Sequence, residues 1–347
     1  MTLPKPAQVA LRFVDCINAR DLEGLIALMS QEHTFVDLAG DVQRGQAVMQ
    51  AGWQNYFSSF PDYRIYVVRI FVAGDTVTLI GRTTGSHLGL PDEVEFQDPV
   101  IWVARVEGER VAEWRLYPDT PENRRKLGAF PEREVFEVDT LAATIDTHLR
   151  LLPAGARTPD IRAVRRIYTR QLKRAAAEQV VALVERLRFQ YGQRFVPYEL
   201  LFYHKPALRS LNAEQVERLG QGIHNWSSTD IFAHFVAGPA WKDGRLSDER
   251  LQRWAHSPEV WWRRAALAST VYLDGDTQRT LAMCRTLMDD KHDMIVKALS
   301  WALRELIAHD RAAVEGFLAE NDDVLAARVK REVRNKLETG LKNPRRS

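Results

Sequence analysis

Apolar positions along the first 60 residues recur at helical spacing. Val9, Ala10, Phe13, Val14 and Ile17 lie three and four residues apart, which predicts one amphipathic helix. Asp21 can cap a second, short helix over 22–29, residues 35–38 read as extended, and a third helix is predicted over about 46–60. From Tyr63 onward the period shortens. Residues 64–72, 76–84, 99–105 and 110–116 are β-branched and aromatic runs, broken at Gly74-Asp75 and Glu107-Gly108 as an antiparallel meander requires. Beyond residue 157 the period is helical almost everywhere, with helices predicted over 160–174, 177–191, 197–203, 212–220, 248–255, 260–273, 277–288, 294–307 and 311–320. Such helices in succession, without strands between them, make a bundle or a solenoid.

The breaks between these patterns divide the chain. Pro118, Pro121 and Pro131 on one side and Pro153, Gly155 and Pro159 on the other bracket a helical stretch over 138–151. The expectation is an α+β cone over 1–130, a joining segment with a helix over 131–156, and an all-α helical-repeat solenoid over 157–347. The formal net charge of +2 hides an asymmetry. Residues 1–130 hold 13 Lys and Arg against 17 Asp and Glu, whereas residues 151–347 hold 33 against 24. A basic half joined to an acidic half is expected when only the basic half meets a polyanion. Cys16 and Cys284 stand in different halves, in apolar helical contexts, and read as small buried hydrophobes of a reducing compartment. Without CxxC pairs or His pairs at ligand spacing, neither a metal nor a cofactor is implied. Met1-Thr2-Leu3-Pro4-Lys5-Pro6 lacks the apolar core of a leader, and no run is long enough to span a bilayer. A soluble, cytoplasmic protein without membrane contact is expected.

Two stretches carry the candidate chemistry. His224-Asn225-Trp226-Ser227-Ser228-Thr229-Asp230 places an indole and a carboxylate four residues apart, one above the other if the stretch is helical. Trp261-Trp262-Arg263-Arg264 and Lys297-Ala298-Leu299-Ser300-Trp301-Ala302-Leu303-Arg304-Glu305 follow it. By periodicity alone Trp301 reads as an ordinary core residue, Trp261 as core and Trp262 as surface, and Asp230 could cap a helix beginning at Ile231. The joint occurrence of the motifs in this order resembles the DNA alkylation repair family of HEAT-like helical-repeat glycosylases, over roughly residues 151–340. The resemblance implies that Trp226 and Trp301 face a lesion, that Asp230 is the catalytic carboxylate, and that Arg264 contacts the DNA backbone. Arg263, Arg165, Arg166 and Lys297 are further candidate DNA contacts. Arg165 and Arg166 belong to a cationic run from Arg162 to Arg174, which by itself reads as a solvated helix face.

Gly85-Ser86-His87-Leu88-Gly89 and Glu113-Trp114-Arg115-Leu116-Tyr117-Pro118-Asp119 carry a second resemblance, to SnoaL-like domains of the nuclear-transport-factor-like superfamily. Its enzymes use a His or Asp inside the cone as acid or base, and His87 and Asp119 match the polar positions. The plainer reading is that both only tie the sheet to its loops. Trp53, Trp102 and Trp114 read as cone-lining core. Cones of this kind pair through their sheets, so the resemblance also implies a homodimer.

The leading function implied is hydrolysis of the N-glycosidic bond of cationic N3- or N7-alkylpurines in duplex DNA, without base flipping. An alkylated purine already carries positive charge and needs no general acid to leave. It needs aromatic faces for its cation and a fixed carboxylate for the sugar cation that develops. Two other functions stand beside it: a non-catalytic helical-repeat protein that holds distorted DNA, and small-molecule chemistry in the cone.

Overall fold

The computed structural model describes residues 3–344, so Met1, Thr2 and residues 345–347 of the expected domain ends lie outside the described residues. The chain divides into two compact units between Tyr168 and Thr169, C-terminal of the expected joint.

In the first unit α1 (Lys5–Ala19) buries Phe13, Val14 and Ile17 and ends where Arg20 turns left-handed at φ 57°. Asp21 then caps α2 (Leu22–Ala27) by accepting from the Gly24 N–H. Strands β1 (Met29–Val36) and β2 (Val42–Arg44), helix α3 (Gln46–Ser59), strands β3 (Arg64–Ala73) and β4 (Thr76–Thr84), the short α4 (Asp92–Glu95), and strands β5 (Val100–Glu107) and β6 (Arg110–Pro118) follow. The sheet runs β2-β1-β6-β5-β4-β3. It is mixed, not a pure antiparallel meander, because β1 lies parallel to β6. Between Val67 and Arg69 the β3–β4 register slips opposite Gly81, where a Cβ would stand 2.3 Å from the Tyr66 carbonyl oxygen. Only glycine allows this close approach, and the slip sharpens the sheet's curvature. On the concave side Trp102, Trp114 and Leu79 pack with Phe13 and Trp53 into one core.

The stretch expected to join the domains is built into this first unit. After α5 (Pro121–Lys126) the chain adds β7 (Glu134–Val135) to the free edge of β3, where Arg69 grips Glu134 through two hydrogen bonds of 2.8 and 2.6 Å. Helix α6 (Val138–Arg150) buries Leu141, Ala142 and Ile145, and its Thr144 hydroxyl donates to the Val67 carbonyl at 2.8 Å. On the outer face of the sheet Phe71, Ile80, Ile101 and Val103 are covered by Tyr117, Leu127 and Ala129. Sheet-to-sheet pairing would rest on that face, and the chain's own segment occupies it. A sizing column with light scattering is therefore expected to show a monomer; a stable dimer would reinstate pairing through the cone.

The second unit is helical. Helix α7 (Thr158–Leu172) crosses the division, and α8 (Ala177–Phe189), α9 (Val196–Tyr203), α10 (Lys205–Ser210) and α11 (Ala213–Gly220) precede α12 (Trp226–Phe232). Beyond it come α13 (Gly238–Lys242), α14 (Asp248–Ala255), α15 (Val260–Thr270), α16 (Thr277–Leu287), α17 (Asp293–Leu306), α18 (Arg311–Glu320) and α19 (Ala327–Thr339). α12, α15, α17 and α19 pack each on the next, while α14 and α16 pack on one another and against α15. This is the two-layer stacking of a helical-repeat array. Among the described residues no helix is long and apolar enough to cross a membrane.

A π-helical turn, Ala233–Ala237, joins α12 to α13. Pro239 explains it. Proline has no N–H to donate and its ring crowds the carbonyl four residues back, so the helix widens and the Gly238 N–H reaches the Ala233 carbonyl instead. A Cβ on Gly238 would lie 2.5 Å from Cβ of Tyr272, so glycine also lets α13 approach the end of α15.

Candidate functional site

Asn225 starts α12: its side-chain oxygen accepts from the Ser228 N–H at 2.8 Å, and the Ser228 and Thr229 hydroxyls donate back to its carbonyl. Asp230 therefore stands inside the helix and does not cap one. Trp226, at the first helical position, is 59% exposed. An indole so open to solvent contributes little to a core, and among the described residues no group takes up its N–H. Beneath the helix, Trp262 packs edge-on against Phe232 at 6.0 Å and against Trp254 at 4.8 Å, so the surface position expected of it is not the one it takes. That aromatic layer holds α12 in place.

Asp230 meets Arg264 of α15 in a bidentate pair, Nε to Oδ1 and Nη2 to Oδ2, both 2.8 Å. The third donor, Nη1, reaches the Met294 carbonyl at the start of α17, 2.6 Å away. One guanidinium, 6% exposed, thus ties three successive helices of the stack. The phosphate contact implied for Arg264 conflicts with this geometry: its fork is spent on Asp230. Trp301 lies seven residues beyond Met294, two turns along the same side of α17, half-buried, with its indole N–H donating to Glu305 at 3.1 Å. Burial raises the Asp230 carboxyl above the ordinary carboxylate range, and the hydrogen bonds and charge of Arg264 pull it back.

Two of the other nominated cations are also engaged. Arg263 donates to Asp290 at 2.8 Å and to the Ser257 and Pro258 carbonyls. Lys297 pairs with Asp293 at 2.7 Å, a carboxylate it shares with Arg328. On α7, Arg165 is buried and Arg166 is exposed, so the two do not share a surface. Both precede the division of the chain and fall outside the unit that holds Asp230.

The cone encloses a cavity of about 440 Å³ with aromatic walls, among them Trp53, Trp102, Trp114 and Tyr56. His87 stands in its lining, and the Tyr56 hydroxyl lies 3.1 Å from His87 Nδ1. Burial pushes the Tyr56 hydroxyl up to about 12, so it remains protonated at neutral pH. Asp119 is not part of the lining. Its side chain is 1% exposed and locked to Arg124 by two 2.5 Å hydrogen bonds, a structural tie. The carboxylate that does line the cavity is Asp37, in the turn after β1. The turn residues Asp37-Leu38-Ala39-Gly40 are its only sequence signal, and nothing in them announces a cavity.

Comparison with protein families matches residues 142–337 to the DNA alkylation repair enzyme family and residues 10–114 to the SnoaL-like domain. Comparison with curated proteins finds no match. Solved structures similar to the first unit include an uncharacterized cystatin-fold protein from Novosphingobium aromaticivorans, with 18% identity, TM-score 0.28, and coverage of 33% of this chain and 98% of that one. A putative polyketide cyclase from Sinorhizobium meliloti gives 16% identity, TM-score 0.28, and coverage of 33% and 94%. A putative ketosteroid isomerase from Kribbella flavida gives 17% identity, TM-score 0.27, and coverage of 35% and 87%.

Proposed function

We propose that this chain, which belongs to the DNA alkylation repair enzyme family, is a DNA glycosylase that releases cationic N3- or N7-alkylpurines from duplex DNA. The observation that carries the proposal is a fixed carboxylate one helical turn from an open indole: Asp230, held at two points by Arg264, beside Trp226. As the glycosidic bond lengthens, positive charge builds on the sugar. Asp230, whose side chain is 19% exposed, keeps a lone pair on each oxygen to meet that charge and to orient the attacking water. Trp226 and Trp301 supply faces for the charged nucleotide, each worth about 0.5–2 kcal/mol. Arg264 positions the carboxylate and does not touch substrate. Because Trp226 stands on an open surface, the lesion is met without a deep pocket for a flipped base.

Release of 7-methylguanine from methylated duplex DNA tests this directly. Free base should appear, and its rate should fall on the acid side, because Asp230 acts as the carboxylate and protonation removes it. Burial raises the Asp230 pKa, so the loss should set in at a higher pH than for an ordinary Asp. DNA binding without any base release would overturn the glycosylase in favour of a scaffold for distorted DNA. A second reading rests on the cone's cavity, where Asp37, His87 and the protonated Tyr56 suit a small hydrophobic ligand with one polar end.

A further inference from the structure

The cations nominated around Asp230, namely Arg263, Arg264 and Lys297, are each paired with a carboxylate. Arg194, in the loop between α8 and α9, is of another kind. Its Nη1 contacts His224 Nε2 at 3.4 Å, two residues before Trp226. Among the described residues no carboxylate pairs with it, and its Nε is buried without a partner.

The protonation pattern of the cluster follows from its contacts. Asn225 uses its side-chain oxygen to cap α12, which leaves its Nδ2 as the atom facing His224 Nε2 at 3.3 Å. His224 Nδ1 lies 3.3 Å from the Gly222 carbonyl and can only donate there, so Nε2 is the acceptor. Two donors, a guanidinium and an amide, thus share the single lone pair of Nε2. Both contacts are long, at the edge of hydrogen-bond range. An oxyanion, with several lone pairs and a charge, would satisfy both donors better than the imidazole does.

We infer that Arg194, with the Asn225 amide, binds a phosphodiester of the DNA strand whose damaged nucleotide lies against Trp226. Two residues of extended chain span about 7 Å, close enough for one strand to run from this cluster to the indole. Arg194 is the phosphate-contacting cation, and His224 is a positioning residue that parks the guanidinium while DNA is absent. The inference rests on the DNA-directed reading above, and its test separates the two.

Binding of a fluorescent duplex carrying 7-methylguanine would be measured across a salt series for the wild type, Arg194→Gln, Arg194→Lys and, as a charge-loss control in the first unit, Arg110→Gln. Loss of one phosphate contact should make the slope of log affinity against log salt shallower by about 0.9. Affinity at low salt should fall roughly tenfold, as expected for a charged hydrogen bond. Arg194→Lys should keep the slope, and Arg110→Gln should change nothing. His224→Ala should weaken binding without altering the slope, since it removes no positive charge. If Arg194→Gln binds with the wild-type slope while the wild type releases base, the phosphate site is overturned and the glycosylase stands. If the wild type neither binds the duplex nor releases base, both fall. Thermal melting of each variant guards against misfolding, and a charge-preserving Arg194→Lys that lost the slope despite native melting would also overturn the site.

Discussion

Asp230→Asn is expected to slow base release by roughly a hundred- to a thousandfold while the duplex remains bound. Opposite charges 4 Å apart attract by about 4 kcal/mol at an effective dielectric near 20, and that difference corresponds to about a thousandfold in rate. The charge of Arg264, 2.8 Å from both carboxylate oxygens, offsets part of this attraction, which sets the lower end of the range. Asparagine has nearly the same shape and keeps an oxygen for Arg264, so the helices should hold their places. Single-turnover release of 7-methylguanine reads the effect. A variant that turned over like the wild type would remove Asp230 from the chemistry and leave the aromatic faces and the cone to explain any release.

Arg264→Met is expected to cost the helical unit about 3–5 kcal/mol, the usual penalty for breaking a buried ion pair on one side only. The estimate belongs at the lower end, because the Asp230 side chain is 19% exposed and water can reach it once the guanidinium is gone. The Met294 carbonyl loses its donor as well, so the tie between α15 and α17 goes with the tie to α12. Urea denaturation should show a lower midpoint. Adding Asp230→Asn to Arg264→Met should then recover part of the loss, since the stranded charge disappears; additive losses would mean that the pair is not what couples the helices. Activity should fall in Arg264→Met for a separate reason, because a buried carboxylate without its cation holds its proton to higher pH.

Why Arg264 was misread from the sequence is physical. It lies 34 residues from Asp230, and no periodicity within either helix reveals which guanidinium crosses to which carboxylate. A basic residue beside a DNA-directed site reads as a phosphate contact until the fold shows its donors already used. Asp119 failed in the same way on a smaller scale: five residues on, Arg124 turns back and claims it. What was legible rested on local period and chemistry. The spacing of Phe13, Val14 and Ile17, the turns at Gly74-Asp75 and Glu107-Gly108, and the indole and carboxylate of α12 were readable because each depends on neighbours within about ten residues. The parallel pairing of β1 with β6 and the attachment of β7 and α6 to β3 depend on contacts far along the chain, and the sequence could not declare them.

The π-turn between α12 and α13 holds one residue more than an α-helix would need, so it acts as a phase shift of about 100° between Asp230 and Pro239. Deleting one residue from 233–237 would remove the widened turn that accommodates Pro239, and it would swing the Trp226–Asp230 face a quarter-turn and more away from Arg264. Shortening that turn is therefore expected to be more harmful than most point substitutions within it, because the extra residue sets the phase that brings the carboxylate to Arg264.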